Sequence, residues 1–446
     1  MSTNVQGEVD PRFRRVQEVF QRHFENGSER SAQCCVYYQG VKVVDLYGSA
    51  TDDHSYTANT LQTVFSSTKV VTSIALACMV DQGRLSYKDK IAQHWPEFGQ
   101  NGKENIRVED VCRHEAGLNH FSTTLPGSAV LTENIKRNQI GEVIENEWLK
   151  ADPDEEGKYP RKYHLLTRGW ILNEIFRRVE PQGRTMGEYV RQEIAEKLGI
   201  DVYIGITDEE MKRLRPLSYL TKGQILLASL NPFTRVIEPS FGGLLAMFQY
   251  KPPKAEGAKP KEPHRKPRPA LEYMTRLLDP IEVIEDCLSQ PVVIHGETPS
   301  ANGSCSARGM AKLAACIVNG GQLEGVRILS QEACDQMHAN FQERPDWSLF
   351  GTRTSFSQGG LHLYQTDENA PSLSKWVKNP LRNGYIGWHG LGGSALQWHP
   401  KYQVGFAYAP TLIAWEDPGN AKAARLQRAV IDSILEIEGA KNIAKL

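Results

Sequence analysis

Nowhere do the 446 residues string together the roughly 20 apolar side chains that a bilayer-crossing helix needs, so a helical membrane span is excluded. An excess of charge of either sign is also missing: 52 basic residues face 53 acidic ones, and the net is −1. No global field therefore draws the chain to nucleic acid or to an anionic membrane. Met1 to Arg15 is polar and charged and lacks the apolar core of a signal peptide. The eight cysteines (Cys34, Cys35, Cys78, Cys112, Cys287, Cys305, Cys316 and Cys334) form no C-x-x-C pair, and several sit inside apolar runs. That pattern predicts buried, reduced thiols in an intracellular chain.

Several catalytic signatures are absent as well. There is no P-loop. Gly392-Gly393-Ser394 has Leu396 where a nucleophile elbow requires glycine, which excludes an α/β-hydrolase. Gly390 to Ala395 fits G-x-G-x-x-A, but a strand pattern follows it where a dinucleotide loop needs a helix. His114-Glu115 lacks the second histidine of H-E-x-x-H, since that position is Leu118, and reads as packing with no zinc or other metal. No cofactor is expected.

What remains is ordinary globular material, 40% hydrophobic and 24% charged. The length suggests about two to three domains, or one core with a large insertion. Asp10-Pro11 opens a helix whose apolar face is Phe13, Val16, Phe20 and Phe24, and Asn26-Gly27 ends it. Ala32 to Tyr38 and Val41 to Tyr47 read as a hairpin around Gln39-Gly40. Near the other end, Ser394 to His399 and Val404 to Ala409 read as two strands. A final helix follows, capped by Asn420 and ended by Gly439. Helix plus hairpin at both ends predicts one antiparallel sheet with helices packed on it. Between them Thr132 to Leu149, Tyr163 to Val179 and Thr185 to Leu198 carry helical patterns. Gln249 to Pro269, rich in lysine and proline, reads as an exposed loop. Trp170 and Trp398 read as core or pocket wall.

The sharpest local feature is Phe65-Ser66-Ser67-Thr68-Lys69, followed by an apolar helix to about Gln82-Gly83. Ser66 and Lys69, three apart, share a helix face. A serine hydroxyl needs a base to become a nucleophile, and a lysine whose pKa is depressed by burial can serve. The helix N-terminus favours developing negative charge.

Five blocks then follow in order: VFSSTKVVT, WPEFGQNGKENIRVEDVCRHEAGL, KYHLLTRGWILNEIFRRV, PSANGSCSARGMAKLAACIVNGGQLEGVRILS and WHGLGGSALQWHP. Together they resemble the serine β-lactamase-related superfamily, nearest the class C β-lactamase-like family VIII carboxylesterases and the eukaryotic β-lactamase-domain relatives. The resemblance runs from about Phe13 to Ile437. It implies that Ser66 is the nucleophile, Lys69 its partner and Tyr163 a general base or proton shuttle. It puts the third motif, usually Lys-Thr-Gly on an edge strand, at His389-Gly390-Leu391. The backbone N–H groups of Ser66 and Gly392 then form the oxyanion hole.

Two departures stand out. Leu165 occupies the position of the second motif's usual asparagine, and His389, Gly390 and Leu391 replace lysine, threonine and glycine. These substrate-binding positions lose a fixed positive charge and hydrogen-bonding groups, which favours uncharged esters over β-lactams.

The resemblance implies an α/β fold of the β-lactamase/penicillin-binding-protein kind. Residues 10–90 and 300–440 build the sheet domain, and residues 91–299 form a mostly helical insertion. The expected activity is a carboxylesterase with a small ester or acyl substrate and no nucleic-acid partner. Acyl transfer, β-lactam or D-amino-acid peptide hydrolysis, and a non-catalytic scaffold are the alternatives. Ala444-Lys445-Leu446 is a close variant of a peroxisomal address, so the expected location is cytoplasmic or peroxisomal, through an import receptor in the latter case.

Overall fold

The structure is a computed structural model that describes residues 4–51, 53–149, 153–154, 158–219, 288–349, 352–365, 380–413 and 421–443. Its centre is a nine-stranded antiparallel sheet drawn from both ends of the chain. The strands are β1 (Asn4–Val9), β2 (Ser31–Tyr38), β3 (Val41–Ser49), β4 (Gln342–Asp346), β5 (Thr352–Phe356), β6 (His362–Leu363), β7 (Ile386–His389), β8 (Ala395–His399) and β9 (Val404–Pro410). Their spatial order is β1-β3-β2-β9-β8-β7-β6-β5-β4. The β2–β3 hairpin turns at Gln39 and Gly40, both at positive φ, as a tight two-residue turn requires. All eight residues of β2 are buried because it lies inside the sheet with helices above and below.

The helices that matter for the site are α1 (Arg14–Glu25), α2 (Thr68–Asp81), α3 (Val108–Cys112), α4 (Thr167–Val179), α5 (Ala307–Val318) and α6 (Ala421–Ile443). The Asp10 carboxylate accepts from the Arg12 N–H ahead of α1, as the capping reading expected. Phe20 of α1 meets Tyr408 edge-on at 6.5 Å. Gly405, three residues earlier and so on the opposite sheet face, lies against Ala311 and Ala315 of α5, where a Cβ would not fit. Helices therefore cover both faces, and the sheet is a buried partition.

The structure departs from the sequence reading at several places. The sequence does not signal β1; its NVQGEV stretch is polar because it is an edge strand with none of its residues buried. The single helix expected over Thr132 to Leu149 is two, Thr132–Lys136 and Gln139–Asn146, because Asn138 adopts a left-handed φ of 67° between them. α4 begins at Thr167, so Tyr163 precedes it in irregular chain. The last helix runs through Gly439 to Ile443; a glycine inside a helix costs only about 1 kcal/mol, too little to stop it. β7 is no edge strand, since β8 and β6 pair with it on either side. Residues 249–269, Asn420, Cys287 and the tripeptide Ala444-Lys445-Leu446 lie outside the described residues. The other seven cysteines are free and buried. Trp170 and Trp398 are both in the core. Among the described residues no helix is long and apolar enough to cross a membrane, and no cluster of metal-ligating side chains occurs.

Candidate active site

A small second sheet sets the floor of the site. Its strands are Gln62–Thr63, Gly303–Cys305 and Val202–Ile204. It ties residues 300–303 to the start of α2: the Val64 N–H donates to the Gly303 carbonyl at 2.8 Å, and the Gly303 N–H donates to Thr68 Oγ1 at 2.9 Å. Ser66 lies in the single 3-10 turn Phe65–Ser67 that feeds α2. Phe65, bulky and buried, holds a left-handed φ of 45°. Such backbone strain, of order 1–3 kcal/mol, persists only where the surroundings fix it.

Ser66 and Lys69 meet as their spacing predicts. Lys69 Nζ is 3.3 Å from Ser66 Oγ. It also donates to two backbone carbonyls, Leu165 O at 2.7 Å and Ser300 O at 3.0 Å. The ammonium is fully enclosed, and burial, helped by the nearby Arg168 guanidinium, holds its pKa well below the ordinary lysine value. In the neutral amine the two hydrogens satisfy the two carbonyls, and the lone pair faces Ser66 Oγ. The arrangement can therefore accept a proton from the serine.

Tyr163 completes the group. Its ring lies 4.7 Å from Lys69 Nζ, measured to the centroid, and packs against the amine. Its hydroxyl lies beside Ser66 and accepts from the Trp388 indole N–H at 2.9 Å. Burial pushes the phenol pKa up, and the neighbouring Ser66 hydroxyl and Trp388 indole oppose that rise. Because the indole can only donate, the tyrosine's own hydrogen is left for Ser66 Oγ.

Beside the third motif, a residue that the sequence reading did not single out contacts Tyr163. Trp388, one residue before His389, is the β7 side chain that reaches Tyr163. His389 instead bonds Tyr364 Oη through Nδ1 at 2.6 Å, and Tyr364 in turn accepts from Gln397 at 3.1 Å. Gly390 passes so close to Val64 and Ser394 that a Cβ would collide with the Val64 carbonyl oxygen and Ser394 Oγ. Gly392 sits in the following turn at φ 75°, a conformation that favours glycine. That turn uses the N–H groups of Gly390 and Gly393, which bond Ser394 O at 2.9 Å and Gly390 O at 3.1 Å. Leu391 is half-buried against the core. Leu165 lends its carbonyl to Lys69 while its side chain is 48% exposed.

Sequence reasoning missed Trp388, the Ser300 and Leu165 carbonyls, and Arg168. Trp388 stood inside the quoted WHGLGG block, and an indole beside a motif histidine was the available signal. The two carbonyls carry none, because any residue supplies one. Arg168 is fully buried, with Nη2 donating to Ser73 Oγ at 2.9 Å.

Comparison with known proteins identifies the family and the fold. The beta-lactamase family model matches residues 16–430. The chain is 28% identical over 349 residues to the Esterase/beta-lactamase LipL of Mycobacterium tuberculosis, covering 77% of this chain and 71% of that protein. A penicillin-binding protein homolog from Caulobacter crescentus superposes with a TM-score of 0.70 at 26% identity, over 96% of this chain and all of the other. A family VIII carboxylesterase superposes with a TM-score of 0.73 at 22% identity, again over 96% of this chain and all of that one, a likeness of fold. With the match spanning nearly the whole chain, the protein belongs to the beta-lactamase family and is a beta-lactamase-like hydrolase.

Proposed function

We propose that the protein is a serine esterase that forms an acyl-enzyme on Ser66 and acts on uncharged carboxylic esters of modest size. The observation that carries this reading is the Lys69 amine, buried, bonded to two carbonyls and 3.3 Å from Ser66 Oγ. Neutral Lys69 takes the Ser66 proton as Oγ attacks the ester carbonyl. The backbone N–H groups of Ser66 and Gly392 stabilise the resulting oxyanion. Tyr163, linked to Ser66 and steadied by Trp388, relays a proton to the departing alcohol. Water then enters, loses a proton to the same relay and releases the acid, which restores Ser66.

The preference for uncharged esters rests on Leu165 and His389. No lysine stands in the third motif to meet a substrate carboxylate, and Leu165 offers an apolar side chain at the position of a hydrogen-bonding asparagine. The name of the mycobacterial relative, which joins esterase to beta-lactamase, is consistent with either substrate class. The test is a matched panel of p-nitrophenyl esters with nitrocefin as the β-lactam. The expected result is that short-chain esters are turned over much faster than nitrocefin. Equal efficiency on nitrocefin and p-nitrophenyl butyrate contradicts the reading of Leu165 and the third motif.

A further inference from the structure

Residues 158–166 form neither helix nor strand, so no regular element fixes the position of Tyr163. Its backbone is nonetheless held at three successive N–H groups. Lys162 N–H donates to His114 O at 3.0 Å, Tyr163 N–H to Asp346 Oδ1 at 3.0 Å, and His164 N–H to His114 Nδ1 at 2.9 Å. One residue, His114, thus grips the chain on both sides of the tyrosine, and its ring lies 4.5 Å from the Tyr163 ring. Its neighbour Glu115 holds the Arg161 side chain in a buried ion pair at 2.7 Å.

The clamp is itself anchored. His114 follows α3 at a left-handed φ of 65°, and its own N–H donates to Val111 O at 3.2 Å. Backbone N–H groups only donate, so the bond from His164 makes Nδ1 an acceptor and places the ring proton on Nε2. Burial beside Arg168 keeps the imidazole neutral, which preserves that acceptor. His164 has the opposite tautomer: Nδ1 donates to Lys162 O at 2.6 Å, and Nε2 accepts from Leu118 N–H at 3.3 Å. A histidine that merely filled space would need none of these bonds.

We propose that the His114-Glu115 turn and Asp346 clamp the backbone around Tyr163, with His114 the residue that positions the tyrosine hydroxyl against Ser66. The proposal rests on the reading of Tyr163 as the proton relay. A misplacement of about 1 Å in such a group costs on the order of 100-fold in rate.

The experiment is a double-mutant cycle on p-nitrophenyl butyrate. His114→Leu removes the acceptor; His114→Asn keeps an oxygen where Nδ1 stands and tolerates the left-handed backbone. In the wild-type background His114→Leu lowers kcat on the order of 10- to 100-fold with KM nearly unchanged, and His114→Asn restores most of that loss. In a Tyr163→Phe background His114→Leu costs almost nothing further. The Trp388 indole N–H resonance, which reports the bond to Tyr163 Oη, moves in His114→Leu and stays in place in His114→Asn. Equal losses in both backgrounds, or a folded His114→Asn protein as impaired as His114→Leu, overturn the clamp. If Tyr163→Phe keeps most activity, the relay reading falls, and the indole resonance still decides whether His114 holds the ring. Should His114→Leu fail to fold, Asp346→Leu and Asp346→Asn repeat the comparison at the other grip.

Discussion

Ser66 and Lys69 on one side of the site, and Tyr163 and Trp388 on the other, are built in opposite ways. The first pair is brought together by local spacing: three residues along the turn and helix bring Nζ to 3.3 Å from Oγ, and the distant Leu165 and Ser300 carbonyls then hold the amine. The second pair comes from irregular chain and from β7, 225 residues apart in sequence, and meets only because the nine-stranded sheet and the His114 turn bring both to one place. Local construction fixes how closely the nucleophile and its base approach, so distant change can alter the amine's surroundings but not that spacing. Long-range construction makes the proton relay dependent on packing, and exposes it to substitutions that touch no substrate.

That contrast can be broken from either side. The largest effect is expected on the local side. Lys69→Ala costs nearly as much as losing Ser66, since residues that act as a unit give non-additive losses. Lys69→Arg fails too, because a guanidinium does not give up its proton. The pH profile carries the same signature: Lys69 works as the neutral amine, so the rate falls as pH drops through its depressed pKa. A folded Lys69→Ala protein with most of its kcat/KM contradicts the assignment.

On the long-range side, Tyr163→Phe falls by about 10²–10⁴ in kcat/KM, the usual worth of acid–base help. Trp388→Phe keeps the aromatic packing and loses one N–H donor, worth about 1 kcal/mol, so kcat falls by about fivefold. A larger loss than for Tyr163→Phe would give Trp388 a role apart from the tyrosine. His389→Ala is milder still and mainly shifts preference along the ester panel, because its Nδ1 is bonded to Tyr364. A selective loss of turnover across all esters would instead put His389 in the proton path.

The same division explains what the sequence disclosed. Helix periodicity and hairpin turns, both local signals, located α1, the β2–β3 hairpin, α2 and the β8–β9 pair closely. The S-x-x-K spacing put Ser66 beside Lys69 before any fold was known. Features decided by partners far along the chain were not legible. Polar β1 carries no alternation because none of its six residues is buried, so neither face requires an apolar set. Asn138 splits a periodic segment through a backbone conformation that periodicity does not encode. The contact of Trp388 with Tyr163 was not legible because the register of β7 against its neighbours, not the motif's letters, selects the side chain that meets the tyrosine. His114, read as packing from its turn, has backbone partners at residues 162 and 164 that only the fold supplies.

The central claim is that Ser66 carries the acyl group. A fluorophosphonate ester reacts irreversibly with an activated serine, so intact-mass analysis and peptide mapping of the labelled protein test it directly. One adduct per chain on the peptide containing Ser66, with esterase activity lost in proportion and no labelling of Ser66→Ala, is the predicted result. Full activity in protein labelled at Ser66, or continued ester turnover by Ser66→Ala, would contradict it.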